Sequence, residues 1–141
     1  MKAMTREEAL AFLSRGTLTG TLATASPSGT PHVAPVWFVL DGGDLVFTTG
    51  AVSVKGRNLQ ANPHAALTVD TEQFPYDFVL VRGPVTLDDD PARLLAWATT
   101  VAERYVPPDR ADEYGRRYST PGELLCRLRI ERLTGFADVA A

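Results

Sequence analysis

The side chains best suited to chemistry crowd into one stretch, TTGAVSVKGRNL, at positions 48 to 59. Ser53 reads as the N-cap of a short helix over about 53 to 61, ended by Asn62-Pro63. The first amides behind such a cap are unpaired donors at the positive end of a helix dipole, which attracts anions. Lys55 and Asn58 are three apart and share a helix face, whereas Arg57 falls roughly 200° around from Lys55 and nearer Ser53. Lys55, Ser53 and Asn58 therefore reach one anion more readily than all four polar groups together. Thr48 and Thr49 end the preceding apolar run at the same place and can add a hydroxyl donor. A phosphate uses several donors plus one mobile point charge, so it is the natural guest. The plainer reading is a serine-capped surface helix with solvated charges. Neither G-x-x-x-x-G-K-[ST] nor G-x-G-x-x-G occurs, so this is no generic nucleotide loop.

Other reactive side chains are sparse. His32 and His64 begin two apolar runs and read as strand-end polar residues. With no HExxH and no G-x-S-x-G, neither a catalytic metal site nor a serine hydrolase is expected. Cys126, the only cysteine, alternates with Leu124 and Leu128, as a core thiol would. Arg127 and Arg129 share one strand face about 7 Å apart. They can pair with Glu131 or with the acidic run at 88 to 90, or serve an anionic ligand across an interface. Trp37 and Trp97 suit core and interface equally.

The elements that must position these groups follow from composition and texture. The length of 141 residues and 45% hydrophobic content fit one domain over the whole chain, 1–141. A net charge of -3 excludes a general electrostatic grip on nucleic acid. No apolar run approaches the ~18 residues of a membrane span, and the N-terminus lacks a leader's apolar core, so a cytoplasmic protein is expected. Thr5 to Glu8 spell a capping box, placing a first helix at 5 to 15 before Gly16. TLTGTLATA, TPHVAPVWFVL and DLVFTT, separated by SPSG and DGGD, predict a three-stranded meander. Both faces of its middle strand are apolar, so cover on both sides is expected, from barrel closure plus a helix or from a partner subunit. HAALTVD and DFVLVRGPVTL add two strands, Asp90-Pro91 opens a helix with apolar residues at helical spacing to Tyr105, and GELLCRLRIERLTGF forms a last long strand after a short helix near 109 to 118. The sum is a mainly β, α+β fold: a six-stranded split barrel with peripheral helices.

The ordered series L-A-T, P-x-x-x-P-V-W-F, T-T-G, K-x-R-N-L and N-P-x-x-A-L, densest from Gly20 to Asp70, resembles the pyridoxamine 5′-phosphate oxidase-like split-barrel flavoproteins, and most of all the branch that uses the deazaflavin coenzyme F420. That resemblance implies a homodimer with two cofactor clefts at the interface. It assigns Lys55 and Asn58 to the cofactor phosphate, with Thr49 and Ser53 beside them, and Pro35, Val36 and Trp37 to the tricyclic ring. It implies hydride transfer to a small-molecule acceptor, with no side chain marked as catalytic; Tyr76, on the segment between two strands, reads either as a substrate-pocket contact or as an aromatic packed over a loop. FMN shares the ring and phosphate and is the alternative cofactor; a non-catalytic carrier of a flavin, deazaflavin or haem is the alternative function. Two departures are visible: Ser53 stands where some relatives carry arginine, and the C-terminal arginine-rich motif ending in R-L-x-P is missing, which argues against vitamin B6 oxidation.

Overall fold

Short β-branched runs punctuated by glycine, proline and aspartate give antiparallel strands, and the computed structural model, which describes residues 1–141, forms them where that texture lies. In chain order the elements are β1 (Lys2–Ala3), α1 (Arg6–Leu13), β2 (Gly20–Ala25), β3 (Pro31–Val36), β4 (Val39–Asp41), β5 (Asp44–Gly50), α2 (Val54–Ala61), β6 (His64–Asp70), β7 (Phe78–Asp88), α3 (Pro91–Tyr105), a 3-10 turn (Pro108–Arg110), α4 (Ala111–Arg117), β8 (Glu123–Arg129) and β9 (Arg132–Ala137). The ladder runs β3-β2-β6-β7-β8-β5-β4. Only Trp37 and Phe38 separate β3 from β4, so the two ends of that ladder are one piece of chain. Counting β3 and β4 as one strand beside β2, β6, β7, β8 and β5 gives the six strands of a closed circuit, the expected split barrel.

Alternation places Leu22, Val36, Leu67, Val81, Cys126 and Leu128 inside, within a core of 18 buried residues. Helix α1 closes one end with Ala9, Phe12 and Leu13. Its start is the expected capping box: the Glu8 amide donates to Thr5 Oγ1 at 3.1 Å and the Thr5 amide to Glu8 Oε1 at 3.0 Å. Helix α3, capped by Asp90, lays Leu94 against Val46 and Leu125, with Val39 and Trp97 alongside. No helix is long and apolar enough to cross a membrane.

The structure revises four expectations. The middle meander strand is two pieces: β3 pairs with β2, β4 pairs with β5, and the chain changes sheet between them. Within the single chain its outer face is covered by α3 only from Trp37 onward and Val33 is 60% exposed, so of the two covers expected, closure plus a helix accounts for half the strand and the other half is left to a partner subunit. The last long strand also breaks, at Ile130 and Glu131, and β7 pairs with β8 through Val85–Asp88 but with β9 through Phe78–Arg82. At that crossing a Cβ on Gly83 would collide with the carbonyl of Arg129, so glycine is what lets the chains pass. Finally, Arg127 pairs with Asp41 at 2.8 Å and Asp44 at 3.3 Å over the Trp97 ring, because the β4–β5 hairpin is nearer than Glu131 or the acidic run, whose Asp88 binds Arg93. The two-residue β1, paired with β9, is too short to leave a pattern in sequence.

Two measurements test this architecture. Gly83→Ala should lower stability by about 1–3 kcal/mol, seen as a fall in denaturant midpoint at constant slope; an unchanged midpoint would mean the crossing is looser than described. Glu123, opposite Gly50 at the start of β8, is held above its ordinary value of 4.5 by burial, with the Lys55 charge partly offsetting. The folded chain thus keeps a proton that the unfolded chain releases, and stability declines as pH rises from 4.5 through the higher folded value. Glu123→Gln should flatten that decline and raise Tm at pH 7 but not at pH 4, and equal Tm shifts at both would contradict it.

Candidate functional site

Where the chain changes sheet, the peptide around Phe38 has no strand partner, and buried backbone groups must find one elsewhere. The C-terminal turn of α3 supplies it. The Phe38 amide donates to Tyr105 Oη at 3.2 Å, and the Phe38 carbonyl accepts from Arg104 Nη1 at 2.8 Å. The Tyr105 hydroxyl donates to the Leu18 carbonyl at 2.9 Å, while Arg104 also holds the carbonyls of Leu13 and Gly16 at 2.8 and 2.9 Å. Burial raises the Tyr105 hydroxyl above its ordinary value, so it stays a neutral donor at physiological pH. Trp37 then lies flat on the Tyr105 ring, centroids 5.2 Å apart and planes 5° from parallel. Tyr118, just beyond α4, meets the indole edge-on at 5.9 Å, and Tyr114 approaches it at 6.1 Å.

This aromatic wall borders a pocket of about 360 Å³. Pro35, Val36, Trp37, Ala98, Val101 and Tyr118 line it, together with the polar side chains of Thr19, Thr48 and Lys55. The structure therefore brings together five of the residues singled out in sequence: Pro35, Val36, Trp37, Thr48 and Lys55. Lys55 is half-buried and forms no ion pair within the chain. Its nearest charge influence is on Glu123 and Cys126, whose thiol burial pushes up to about 12, leaving it inert.

The remaining candidates face elsewhere. Ser53 caps α2, accepting from the Gly56 amide at 3.0 Å and donating to the Gly50 carbonyl at 2.7 Å. Its single hydrogen being spent, the 3.2 Å contact with Thr49 has Thr49 as donor. Asn58 is 8% exposed and donates to buried Thr24 at 3.1 Å. Arg57 is exposed on the opposite face of α2. Tyr76, 45% exposed with a φ of 73°, belongs to a separate hollow with Asp70, Glu72 and Asp77. Among the histidines, His64 is exposed at the start of β6, and His32 Nδ1 is buried without a partner opposite Thr24. No group of His, Cys, Asp or Glu is arranged to hold a metal ion.

Sequence reading missed Gly56, Thr19, Ala98, Val101, Tyr105 and Tyr118. A Cβ on Gly56 would strike the Gly50 carbonyl, so this glycine seats the first turn of α2 against the end of β5. The helical spacing that put Tyr105 on an apolar face was legible, but its hydroxyl partners lie 67 and 87 residues away in sequence.

Comparison with known proteins agrees with this architecture. The family model described as pyridoxamine 5′-phosphate oxidase matches residues 5–133. A solved structure described as an F420 reductase is 32% identical, with a TM-score of 0.67 over 86% of this chain and 93% of its own. A conserved hypothetical protein of Mycobacterium tuberculosis superposes with a TM-score of 0.82 at 24% identity, over 96% of this chain and 86% of that one. A haem storage protein of Vibrio cholerae shares the fold with a TM-score of 0.73 at 20% identity, over 96% and 99%. No curated protein matches the sequence. With more than nine-tenths of its length matched by the family model and its barrel closed in the same fold, the chain belongs to the pyridoxamine 5′-phosphate oxidase family.

Proposed function

We propose that the protein is an F420-dependent oxidoreductase, working as a homodimer, that moves a hydride between the deazaflavin and a small organic acceptor. The observation that carries this reading is the half-buried, unpaired Lys55 lining the same pocket as Trp37, Thr19 and Thr48. The donor set suits the coenzyme: an ammonium with Thr19 and Thr48 hydroxyls for a phosphate, and an aromatic and aliphatic slot for a planar ring. The pocket's 360 Å³ lies in the range of small-molecule sites, about 300–1,000 Å³. The 32% identity with an F420 reductase supports the choice of coenzyme.

Bound deazaflavin supplies the hydride. The protein's own residues bind, orient and dry the site. Trp37, stacked on Tyr105, would give a planar ring a fixed aromatic contact. Ala98 and Val101, in the same lining, would help to exclude water. Lys55 with Thr19 and Thr48 would hold an anionic arm, and such anchorage would convert a bimolecular encounter into a fixed geometry. No carboxylic acid lines the pocket, and the proton-bearing side chains in its lining are the Lys55 ammonium and the hydroxyls of Thr19, Thr48 and Tyr118; a proton for the reduced acceptor would come from one of these or from solvent. No histidine lines it either, which disfavours an axially ligated haem. The uncovered outer face of β3, with Val33 60% exposed, supports the dimer.

Fluorescence titration with F420 and with FMN tests the assignment. F420 should bind more tightly, and Lys55→Ala should weaken it about tenfold to a hundredfold while Tm stays unchanged, because a charge-assisted contact is lost and no core packing is. Tighter binding of FMN would reassign the cofactor, and an unaltered dissociation constant in the variant would return Lys55 to the solvated surface.

A further inference from the structure

In an antiparallel ladder, opposed residues alternate between hydrogen-bonded and non-hydrogen-bonded pairs. At the turn joining β2 to β3, the Ser26 amide donates to the Thr30 carbonyl at 2.9 Å, which marks that pair as hydrogen-bonded. Every second step along the register is then of the same kind: Thr24–His32, Leu22–Ala34 and Gly20–Val36. The next such rung falls on Leu18 and Phe38, and the ladder stops short of it. Its backbone groups are bound elsewhere. The Phe38 carbonyl accepts from Arg104 Nη1 at 2.8 Å, and the Leu18 amide turns back to the Arg15 carbonyl at 3.5 Å. The two groups that would have bonded each other, the Phe38 amide and the Leu18 carbonyl, both bind the Tyr105 hydroxyl, at 3.2 and 2.9 Å. One oxygen thus stands inside the missing rung, accepting from one strand end and donating to the other.

Two hydrogen bonds in series hold strand ends farther apart than the single bond of a rung. The pair between the last true rung and the interrupted one is Thr19 and Trp37. In a closed ladder they would form a non-hydrogen-bonded pair, the kind whose side chains approach most closely. Both line the 360 Å³ pocket. We propose that Tyr105 is a positioning residue, its hydroxyl a wedge that keeps β2 and β3 from zipping shut and holds Thr19 and Trp37 apart for a planar ring to enter. Tyrosine suits the task because its hydroxyl both accepts and donates, whereas phenylalanine does neither. Its ring, stacked on Trp37 at 5.2 Å, holds the oxygen in place. Ala98 and Val101, seven and four residues earlier on the same face of α3, line the same pocket, so one helix carries both the wedge and part of the lining. The inference rests on the reading of this pocket as the ring site and adds the residue that sets its width.

Tyr105→Phe tests it by removing the hydroxyl and keeping the ring. The Phe38 amide should then donate directly to the Leu18 carbonyl and stay protected in amide hydrogen exchange. Affinity for F420 and for the ribityl deazaflavin that lacks the phosphate should fall by the same factor, about tenfold or more, because the opening narrows at the ring and not at Lys55. A hydroxyl that only tied α3 down would, when lost, leave both backbone groups unpaired. Faster exchange of the Phe38 amide, unchanged affinity, or a loss confined to F420 therefore overturns the proposal. In the ligand-free native chain, the Phe38 amide should show an NMR cross-peak to the Tyr105 ring protons beside the hydroxyl, and its absence overturns the wedge whether or not the variant folds. A native chain that binds neither deazaflavin overturns the redox reading instead, and the wedge is then decided by the cross-peak and the exchange.

Discussion

The barrel closes at a peptide that belongs to neither sheet. Strands β3 and β4 are too close in sequence for a turn between them, so Trp37 and Phe38 must cross from one ladder to the other with their backbone unpaired. A buried amide and carbonyl without partners would cost on the order of 1–3 kcal/mol each. Arg104 and Tyr105 remove that cost, and as adjacent residues at the end of one helix they do so only if α3 docks in a single pose. The same Arg104 gathers the carbonyls at the end of α1, so barrel closure, the first helix and the inserted helix are fixed by one cationic fork.

The pocket inherits its geometry from that closure. Trp37 lines the cleft next to the Phe38 peptide that α3 ties down, and its ring is stacked on Tyr105. On the far side of Tyr114, Arg117 and Arg110 cover the ring at 4.3 and 5.0 Å, extending the stack to the surface. Loosening α3 would therefore blur the aromatic wall before it disturbed the barrel core, to which α3 contributes no side chain.

Much of this was legible in sequence where the signal is local. The capping box, the proline-started α3, the alternation of Cys126 with its leucines and the glycine-rich turns each depend on residues within a few positions of one another, and the six-stranded barrel followed from them. The breaks at Trp37–Phe38 and Ile130–Glu131 were not legible, because apolar periodicity runs straight through both and the causes are distant: α3 in one case, the crossing at Gly83 in the other. The site divides the same way. Spacing on an ideal helix grouped Ser53, Lys55 and Asn58, but a cap that spends its hydroxyl on Gly50 and an asparagine turned inward to Thr24 depend on neighbours that spacing cannot reveal.

That division bears on how an anion would be held. Ser53, Thr49 and Asn58 form a closed hydrogen-bonded support that ties the start of α2 to β5 and its middle to β2. Lys55 alone projects from that support into the pocket, a flexible charge on a fixed base. Replacing a rigid cradle by one mobile ammonium keeps the Coulomb attraction but lowers geometric selectivity, because an ammonium is a point charge and a guanidinium is a fork. On the proposed reading, discrimination between ligands would then fall to the apolar and aromatic lining, Pro35, Val36, Trp37, Ala98 and Val101, more than to the residue that would hold the anionic arm.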